Sequence, residues 1–156
     1  MLKLTRKADY GLIALKHLAV SVRGGSASAK EIADSYGIPL PLLAKVLQKL
    51  ARNGFLKSVH GTNGGYMLAR DPRRISALEV IRAIDGPVVL TSCFTDQSEC
   101  GHSERCSVRE PLRKVHEGIL NLLENTTLSD MLEEEHADSP PRSYDAGRHL
   151  HVLPGI

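Results

Sequence analysis

The cysteines lie close together in the sequence, which makes them the first candidates for chemistry. Cys93, Cys100 and Cys106 are the only three cysteines in the chain, and six and five residues separate them. Thiolates are soft donors that suit an iron–sulfur cluster or zinc, and two thiols can also pair in a redox switch. Structural zinc prefers cysteine pairs separated by two to four residues, and this segment has none. The spacing favours a cluster, with zinc and a thiol switch as alternatives.

Positive charge surrounds the last cysteine. Arg105 and Arg109 flank Cys106, and a predicted helix starts a few residues later. A helix N-terminus and neighbouring guanidinium groups both favour a thiolate over a thiol. The segment is therefore suited to binding a metal centre through ionised sulfur.

Length and composition limit the class of protein. The chain has 156 residues with a net charge of +2, which is enough for one domain and an appendage. It has no run of about 18 apolar residues, and "MLKLTRKADYGL" has no signal-peptide core, so we expect a cytoplasmic protein without a membrane segment. In that reducing compartment an odd number of cysteines argues against a disulfide framework.

The two halves of the chain differ in charge. Residues 1–74 hold 13 Lys and Arg against 4 Asp and Glu, whereas residues 75–156 hold 7 against 14. A basic front half on a nearly neutral chain indicates a polyanionic partner for that half. An ordinary solvated surface is the alternative.

The front half has the helix pattern of a DNA-reading domain. Residues 4–22 show helical spacing of apolar side chains, and Ser28 with Glu31 forms a capping box that opens a short helix. Gly37 is placed to end that helix, and Pro41 suits the first position of the next, "LLAKVLQKLARNG".

A hairpin follows these helices. "FLKSVH" and "YMLA" are predicted strands, joined by "GTNGG", in which Gly64 and Gly65 are expected to supply positive φ. Three helices and a hairpin make residues 1–74 a predicted winged helix-turn-helix domain, in a fold that is mainly α with a small β-hairpin wing. A helical bundle with a surface hairpin is the alternative.

The back half is predicted to carry the cysteines and a long helix. Ser76 and Glu79 form a second capping box, and a helix extends from near Pro111 to about Asn125. Residues 75–135 are predicted as the cluster-binding loop and dimerisation helices, and residues 136–156 as a mobile tail. Packing of the long helix on its own domain is the alternative to dimerisation. The apolar positions of that helix form a narrow seam: Leu112, Val115, Ile119, Leu122 and Leu123.

These segments together resemble a known family. Four segments and the three cysteines that follow them carry the resemblance: "LTRKADYGLIAL", "SAKEIADSYGIPLPLLAKVLQKLARNGFL", "GTNGGYMLARDP" and "ISALEVIRAIDG". They are similar to the IscR/NsrR, or Rrf-two, family of winged-helix transcription regulators. The resemblance covers Met1 to about Glu135. It implies a homodimer, joined through the long helix, whose DNA binding is controlled by an iron–sulfur cluster in the cysteine loop.

The resemblance also implies a ligand set. Carried over to this chain, the cluster ligands are Cys93, Cys100 and Cys106, with Asp9 of the partner subunit as the fourth, as in NsrR-type members. Arg109 stands where the IscR branch has histidine, and a guanidinium has no lone pair for iron. A 4Fe–4S cluster is therefore favoured, with 2Fe–2S as the alternative. Other candidates for the fourth ligand are a small molecule and four side chains: His102, His116, Glu99 and Glu104.

The expected function is that of a repressor that binds an imperfectly palindromic operator, and no enzyme motif stands out. The signal would be nitric oxide, redox state, iron or iron–sulfur supply. A regulator without a cluster, using thiol redox chemistry or zinc, is the alternative.

Four basic side chains are expected to face phosphates: Lys45, Lys49, Arg52 and Lys57. The predicted DNA-binding residues lie on the second helix of the motif and on the wing: Pro41, Ala44, Lys45, Gln48, Lys49, His60, Thr62, Asn63, Gly64 and Gly65.

Overall fold

The computed structural model describes residues 3–21, 25–62, 64–95, 101 and 103–133. Within them the helices and strands, in chain order, are α1 (Arg6–Val20), α2 (Ala29–Tyr36), α3 (Leu40–Arg52), β1 (Leu56–Val59), β2 (Gly65–Leu68), α4 (Ala77–Asp85), α5 (Arg109–Asn125) and α6 (Leu128–Glu133). This order confirms the predicted mainly α fold with a hairpin wing.

Side-chain caps determine where α2 and α4 begin. Both predicted capping boxes are present: Ser28 caps α2 together with Glu31, and Ser76 caps α4 together with Glu79. In each box the serine hydroxyl accepts the glutamate N–H, and the glutamate carboxylate accepts the serine N–H, which satisfies two otherwise unpaired donors. Gly37 ends α2 with φ 64°, as its position predicted.

The start of α3 differs by one residue from the prediction. The helix begins at Leu40 with Pro39 as its N-cap, so Pro41 is the second helical residue and not the first. The shift is tolerated because N–H groups throughout the first turn have no partner within the helix, and proline lacks only that group.

The wing is joined to the helical domain through its second strand. β1 and β2 pair antiparallel, with Val59 opposite Gly65 and Ser58 opposite Tyr66. On the other edge of β2, Tyr66 exchanges two backbone hydrogen bonds with Ala27, at 3.0 and 2.9 Å. Ala27, two residues before α2 begins, therefore fixes the hairpin against the helical domain.

The prediction that Gly64 and Gly65 adopt positive φ is wrong, although both positions do require glycine. In the turn it is Gly61 that has positive φ, at 122°. A Cβ on Gly65 would lie 2.3 Å from the carbonyl oxygen of Ala27, and one on Gly64 would lie 2.7 Å from that of Val59. The requirement is close approach between backbones, imposed at Gly65 by the extra pairing with Ala27 and at Gly64 by the turn of the hairpin itself.

One hydrophobic core joins α1, α2 and α3 to α4 and α6. Ile84, near the end of α4, packs so closely on α1 that a Cβ on Gly11 would lie 2.3 Å from its Cδ1 atom. The largest side chains that the core buries completely are Leu15, Ile32, Leu43, Leu47, Leu50, Ile75, Leu78, Val80 and Leu128. Residues from both halves of the sequence therefore stabilise the same interior.

The long helix α5 lies largely outside this core. None of its residues is buried within the single chain, and Val115 and Leu122 are 51% and 69% exposed. Leu123 is the exception within the predicted seam, because it packs against the core. The predicted seam therefore has two sides: Leu123 faces the domain, whereas Val115 and Leu122 lie on an outward apolar face.

The link between α5 and α6 returns to the start of α4. The N–H of Ala77 donates to the carbonyl of Thr126, and that of Leu128 donates to the carbonyl of Ile75, both at 2.8 Å. Thr127 and Asp130 cap α6. The predicted tail, 136–156, lies outside the described residues. None of the described helices has the length and apolar character needed to cross a bilayer.

Replacing Gly65 with alanine is expected to destabilise the protein by about 2–3 kcal/mol, because the backbone at Ala27 would have to move. Gly37→Ala is the matched comparison: its Cβ meets open space, so only left-handed backbone strain of about 1–2 kcal/mol applies. Urea denaturation measures both. An equal or smaller cost for Gly65→Ala would contradict the close-approach explanation.

The capping box of α2 is expected to make stability depend on pH. The hydrogen bond from the backbone N–H of Ser28, followed by that from its hydroxyl, lowers the pKa of Glu31. Because the folded pKa lies below the unfolded value of about 4.3, this stabilisation is complete above that value and is lost as pH falls through the folded pKa. Glu31→Gln should therefore flatten the acid limb of the stability curve, measured by urea denaturation from pH 6 to about pH 3.

Asp34→Asn is the control, since it removes a carboxylate of the same helix that pairs only with exposed Lys30. A Glu31→Gln curve that coincides with the wild-type curve would contradict the assignment.

Candidate nucleic-acid interface and thiol site

The helix α3 presents one apolar and one basic face. Leu43, Val46, Leu47 and Leu50 point into the core. The predicted DNA-binding side chains of this helix lie on the other side, where Ala44 is half-buried and the remainder are exposed: Pro41, Lys45, Gln48 and Lys49. Arg52 is also exposed, at the C-terminal end. The prediction that these side chains share the solvent face therefore agrees with the structure.

A basic cleft joins α3 to the first helix. Lys7 of α1, with Lys45 and Lys49 of α3, lines a cleft of about 120 Å³ whose floor includes Val46 and Ile84. Sequence analysis missed Lys7, because only the packing of α1 against α3 brings it beside the reading helix. The cleft can hold an anion such as a backbone phosphate.

The three lysines of the cleft are not equivalent. The ammonium of Lys49 donates a hydrogen bond to the carbonyl oxygen of Ile84 at 2.8 Å. Within the described residues no comparable bond involves the ammonium groups of Lys7 or Lys45. The charge of Lys49 is thus already directed at the end of α4, whereas the other two are available to a ligand.

The wing presents a polar tip. His60, Gly61 and Thr62 are exposed and Lys57 is exposed on β1, while Asn63 lies outside the described residues. Gly64 and Gly65 are half-buried, Gly65 against Ala27 and Gly64 against Val59, which gives them a structural role. Of the predicted wing residues with described positions, His60 and Thr62 are the exposed ones.

The base of the wing is held by a single arginine. Arg70 lies 5.2 Å above the ring of Phe55, donates to the carbonyl of Arg74 at 2.7 Å and pairs with Glu79 at 3.1 Å. Burial raises the pKa of Glu79, but the N–H of Ser76 and the Arg70 guanidinium together outweigh it, so the pKa is lowered. The wing is therefore coupled to the capping box of α4.

The cysteine segment was predicted as a loop and contains two short 3-10 turns. Cys93 is central to the turn Ser92–Phe94, and Cys106 directly follows the turn Ser103–Arg105, three residues before α5 begins. Both are half-buried cysteine thiols. Cys100 lies outside the described residues. Two sulfur donors thus lie in the connection between α4 and α5.

An aromatic contact fixes the first turn on the long helix. The ring of Phe94 stacks on that of His116 in α5, with centroids 5.1 Å apart and an interplanar angle of 21°. Sequence analysis considered His116 as a ligand and missed Phe94. The contact gives the histidine a packing role and positions the turn that carries Cys93.

The chemistry of the segment fits a metal–sulfur centre. Thr91 precedes the turn of Cys93, and its buried hydroxyl oxygen has no hydrogen-bond partner among the described residues. Such a hydroxyl can donate to a thiolate or sulfide placed nearby. Among the described residues no three His, Cys, Asp or Glu side chains cluster around one point. A complete ligand set would therefore need Cys100 and a further donor.

Asp9 lies in the first turn of α1 and is exposed. A carboxylate there is favoured by the helix N-terminus in any case. Its predicted role as a ligand requires the partner subunit and stays a prediction.

Comparison with known proteins agrees with the fold. The family model for Rrf2, described as an iron-dependent transcriptional regulator, matches residues 4–134. The chain is 29% identical to CymR, the global cysteine regulator of Bacillus subtilis, with a TM-score of 0.73 over 86% of this chain and 98% of that one.

Two further solved structures are similar. IscR of T. potens is 31% identical, with a TM-score of 0.68 over 89% of this chain and 93% of that one. CymR of Staphylococcus aureus is 29% identical, with a TM-score of 0.68 over 83% and 97%. Rrf2 members are transcription regulators that bind DNA, typically as dimers, and are not enzymes. This chain belongs to the Rrf2 family of winged-helix transcriptional regulators.

Proposed function

We propose that the protein is a dimeric repressor whose affinity for its operator is controlled by an iron–sulfur cluster. The observation that carries the proposal is the position of the cysteine segment. Half-buried Cys93 and Cys106 lie between α4, which shares the core of the reading domain, and α5, whose outward face is apolar. A change at these thiols would act directly on both helices.

DNA would be bound by the basic face and the wing. α3 would enter the major groove with Gln48 and Ala44 toward the bases, while Lys45 and Lys7 meet phosphates. The exposed wing residues His60 and Thr62 would follow the backbone or the minor groove. Two copies of α3 related by a two-fold axis would require DNA half-sites that lie about one helical turn of the duplex apart, or a multiple of it.

The cluster would be held by Cys93, Cys100 and Cys106, with Asp9 of the partner subunit as the fourth ligand. Thiolates suit cluster iron, whereas a carboxylate is a harder and weaker donor. When bound, a 4Fe–4S cluster would supply an iron open to nitric oxide or oxygen; a 2Fe–2S cluster is the alternative.

Regulation by the thiols alone is the second candidate function. The similarity to CymR, the global cysteine regulator of B. subtilis, favours it. In this version two of the three cysteines would form a disulfide on oxidation, or the thiols would bind zinc, and no iron would be present. Both versions use the same segment and the same reading helix.

Anaerobic purification followed by native mass spectrometry distinguishes these candidates. The wild type is expected to be brown and to carry the mass of a cluster with its sulfides, and Cys106→Ser is expected to lose it. DNA binding, measured by fluorescence anisotropy, should change by at least about tenfold when nitric oxide is added to the wild type but not to Cys106→Ser. A colourless protein containing zinc, or lacking metal, would contradict the cluster.

Asp9→Ala tests the fourth ligand against His116→Ala. If Asp9 of the partner subunit binds iron, only the aspartate variant should change the anaerobic absorption spectrum and the rate of reaction with nitric oxide. A spectral change confined to His116→Ala would make Asp9 a helix-end carboxylate only.

The dimer would form through the outward face of α5. Leu112, Val115, Ile119 and Leu122 follow the three–four spacing of a coiled-coil seam, and two of them are more than half exposed in the single chain. Beside this seam, Ile119 lines an apolar cleft of about 480 Å³ together with Leu4 at the start of α1. This exposed apolar surface would be covered by a second copy.

Leu122→Glu is expected to weaken dimerisation by at least about a hundredfold, because two carboxylates would face each other in an apolar seam. Asn121→Glu, exposed on the same helix, is the control and should have little effect. Sedimentation equilibrium measures the dissociation constant. An unchanged dimer in Leu122→Glu would place the interface elsewhere.

A further inference from the structure

The end of α4 contacts both helices that frame the reading face. The carbonyl oxygen of Ile84 accepts the hydrogen bond from Lys49 of α3, at 2.8 Å. The carboxylate of the next residue, Asp85, accepts the hydroxyl of Thr5 at 2.7 Å, and Thr5 is the N-cap of α1. Ile84 is thus bonded to α3, and its neighbour Asp85 is bonded to the start of α1.

The bond from Lys49 has a clear electrostatic cause. The last carbonyl groups of a helix have no partners within it, and the C-terminal end carries a partial negative charge. Ile84 is the penultimate residue of α4, so its carbonyl is one of these groups. An ammonium at this position satisfies the acceptor and the helix dipole together.

The position of Ile84 is itself tightly defined. Its side chain is 5% exposed and fills the space left by the missing side chain of Gly11. The carbonyl that Lys49 contacts is therefore a fixed point between α3 and α4. Past Gly86 the chain runs on to Cys93, so this point is also close in sequence to the thiols.

We propose that Lys49 is a positioning residue that orients the reading helix by capping α4, whereas Lys45 and Lys7 are the lysines that bind phosphate. The inference rests on the proposed DNA-binding function and refines it. Lys45 lies one turn before Lys49 on the same helix, which makes the two residues a matched pair with the same charge and different tasks.

The test compares Lys45→Gln with Lys49→Gln in the full-length protein. Affinity for a random-sequence 40-base-pair duplex is measured from low to moderate salt. Each phosphate contact contributes about 0.9 to the slope of log affinity against log salt. Lys45→Gln should therefore lower the slope by about one per subunit, whereas Lys49→Gln should leave it unchanged.

A second measurement uses a duplex selected by the wild-type protein from a random pool. Lys49→Gln should reduce the preference for this duplex over the random one by about tenfold, because a misdirected α3 loses base contacts but keeps its charge complement toward phosphates. Lys49→Arg can still donate to the Ile84 carbonyl and should restore most of the preference. Circular dichroism confirms that each variant is folded.

A slope reduction of about one in Lys49→Gln with unchanged preference would make Lys49 a phosphate ligand and overturn the inference. Unchanged slope and unchanged preference would overturn it as well. A wild-type protein without salt-dependent binding to any duplex would instead defeat the proposed DNA-binding function.

Discussion

The packing of Ile84 against Gly11 determines how the helices of the reading domain meet. Only a residue without a side chain allows α4 to approach α1 this closely, since a Cβ on Gly11 would lie 2.3 Å from the Ile84 side chain. Val46 of α3 lies beside the same contact, 3.5 Å from that Cβ position. Because cores are close-packed, a change at this point is transmitted to all three helices and not absorbed locally.

The same packing determines where the basic side chains of α1 and α3 lie relative to one another. Lys7 and Lys45 come from different helices and are brought to one cleft by the approach of α1 to α3. Lys49 is in the same cleft but donates to the end of α4. A count of basic residues would give the three equal weight, whereas only Lys49 has an acceptor of this kind within the described residues, and Lys7 and Lys45 are the two proposed to bind phosphate.

The cysteine segment connects the part of the chain that reads DNA to the part that is expected to form the dimer. Its first turn rests on α5 through Phe94 and His116, and its last cysteine lies three residues before the same helix. Of its described residues, Cys93 and Cys106 are half-buried. Under the proposed function, a chemical change at these thiols would act on α5 through that contact and on the core through α4.

The sequence by itself determined the elements whose causes are local: the two capping boxes, the left-handed Gly37, the apolar face of α3, the hairpin and the cysteine spacing. It also placed the chain in its family, because the motifs that carry the resemblance are contiguous. Only the tertiary structure decided what depends on residues far apart in the chain. Glycine at position 65 is required by the backbone of Ala27, Lys7 joins the basic cleft, and Lys49 caps a helix 35 residues away. Local periodicity records which side of a helix is apolar, but the partner of each polar group is chosen by the packing of distant segments.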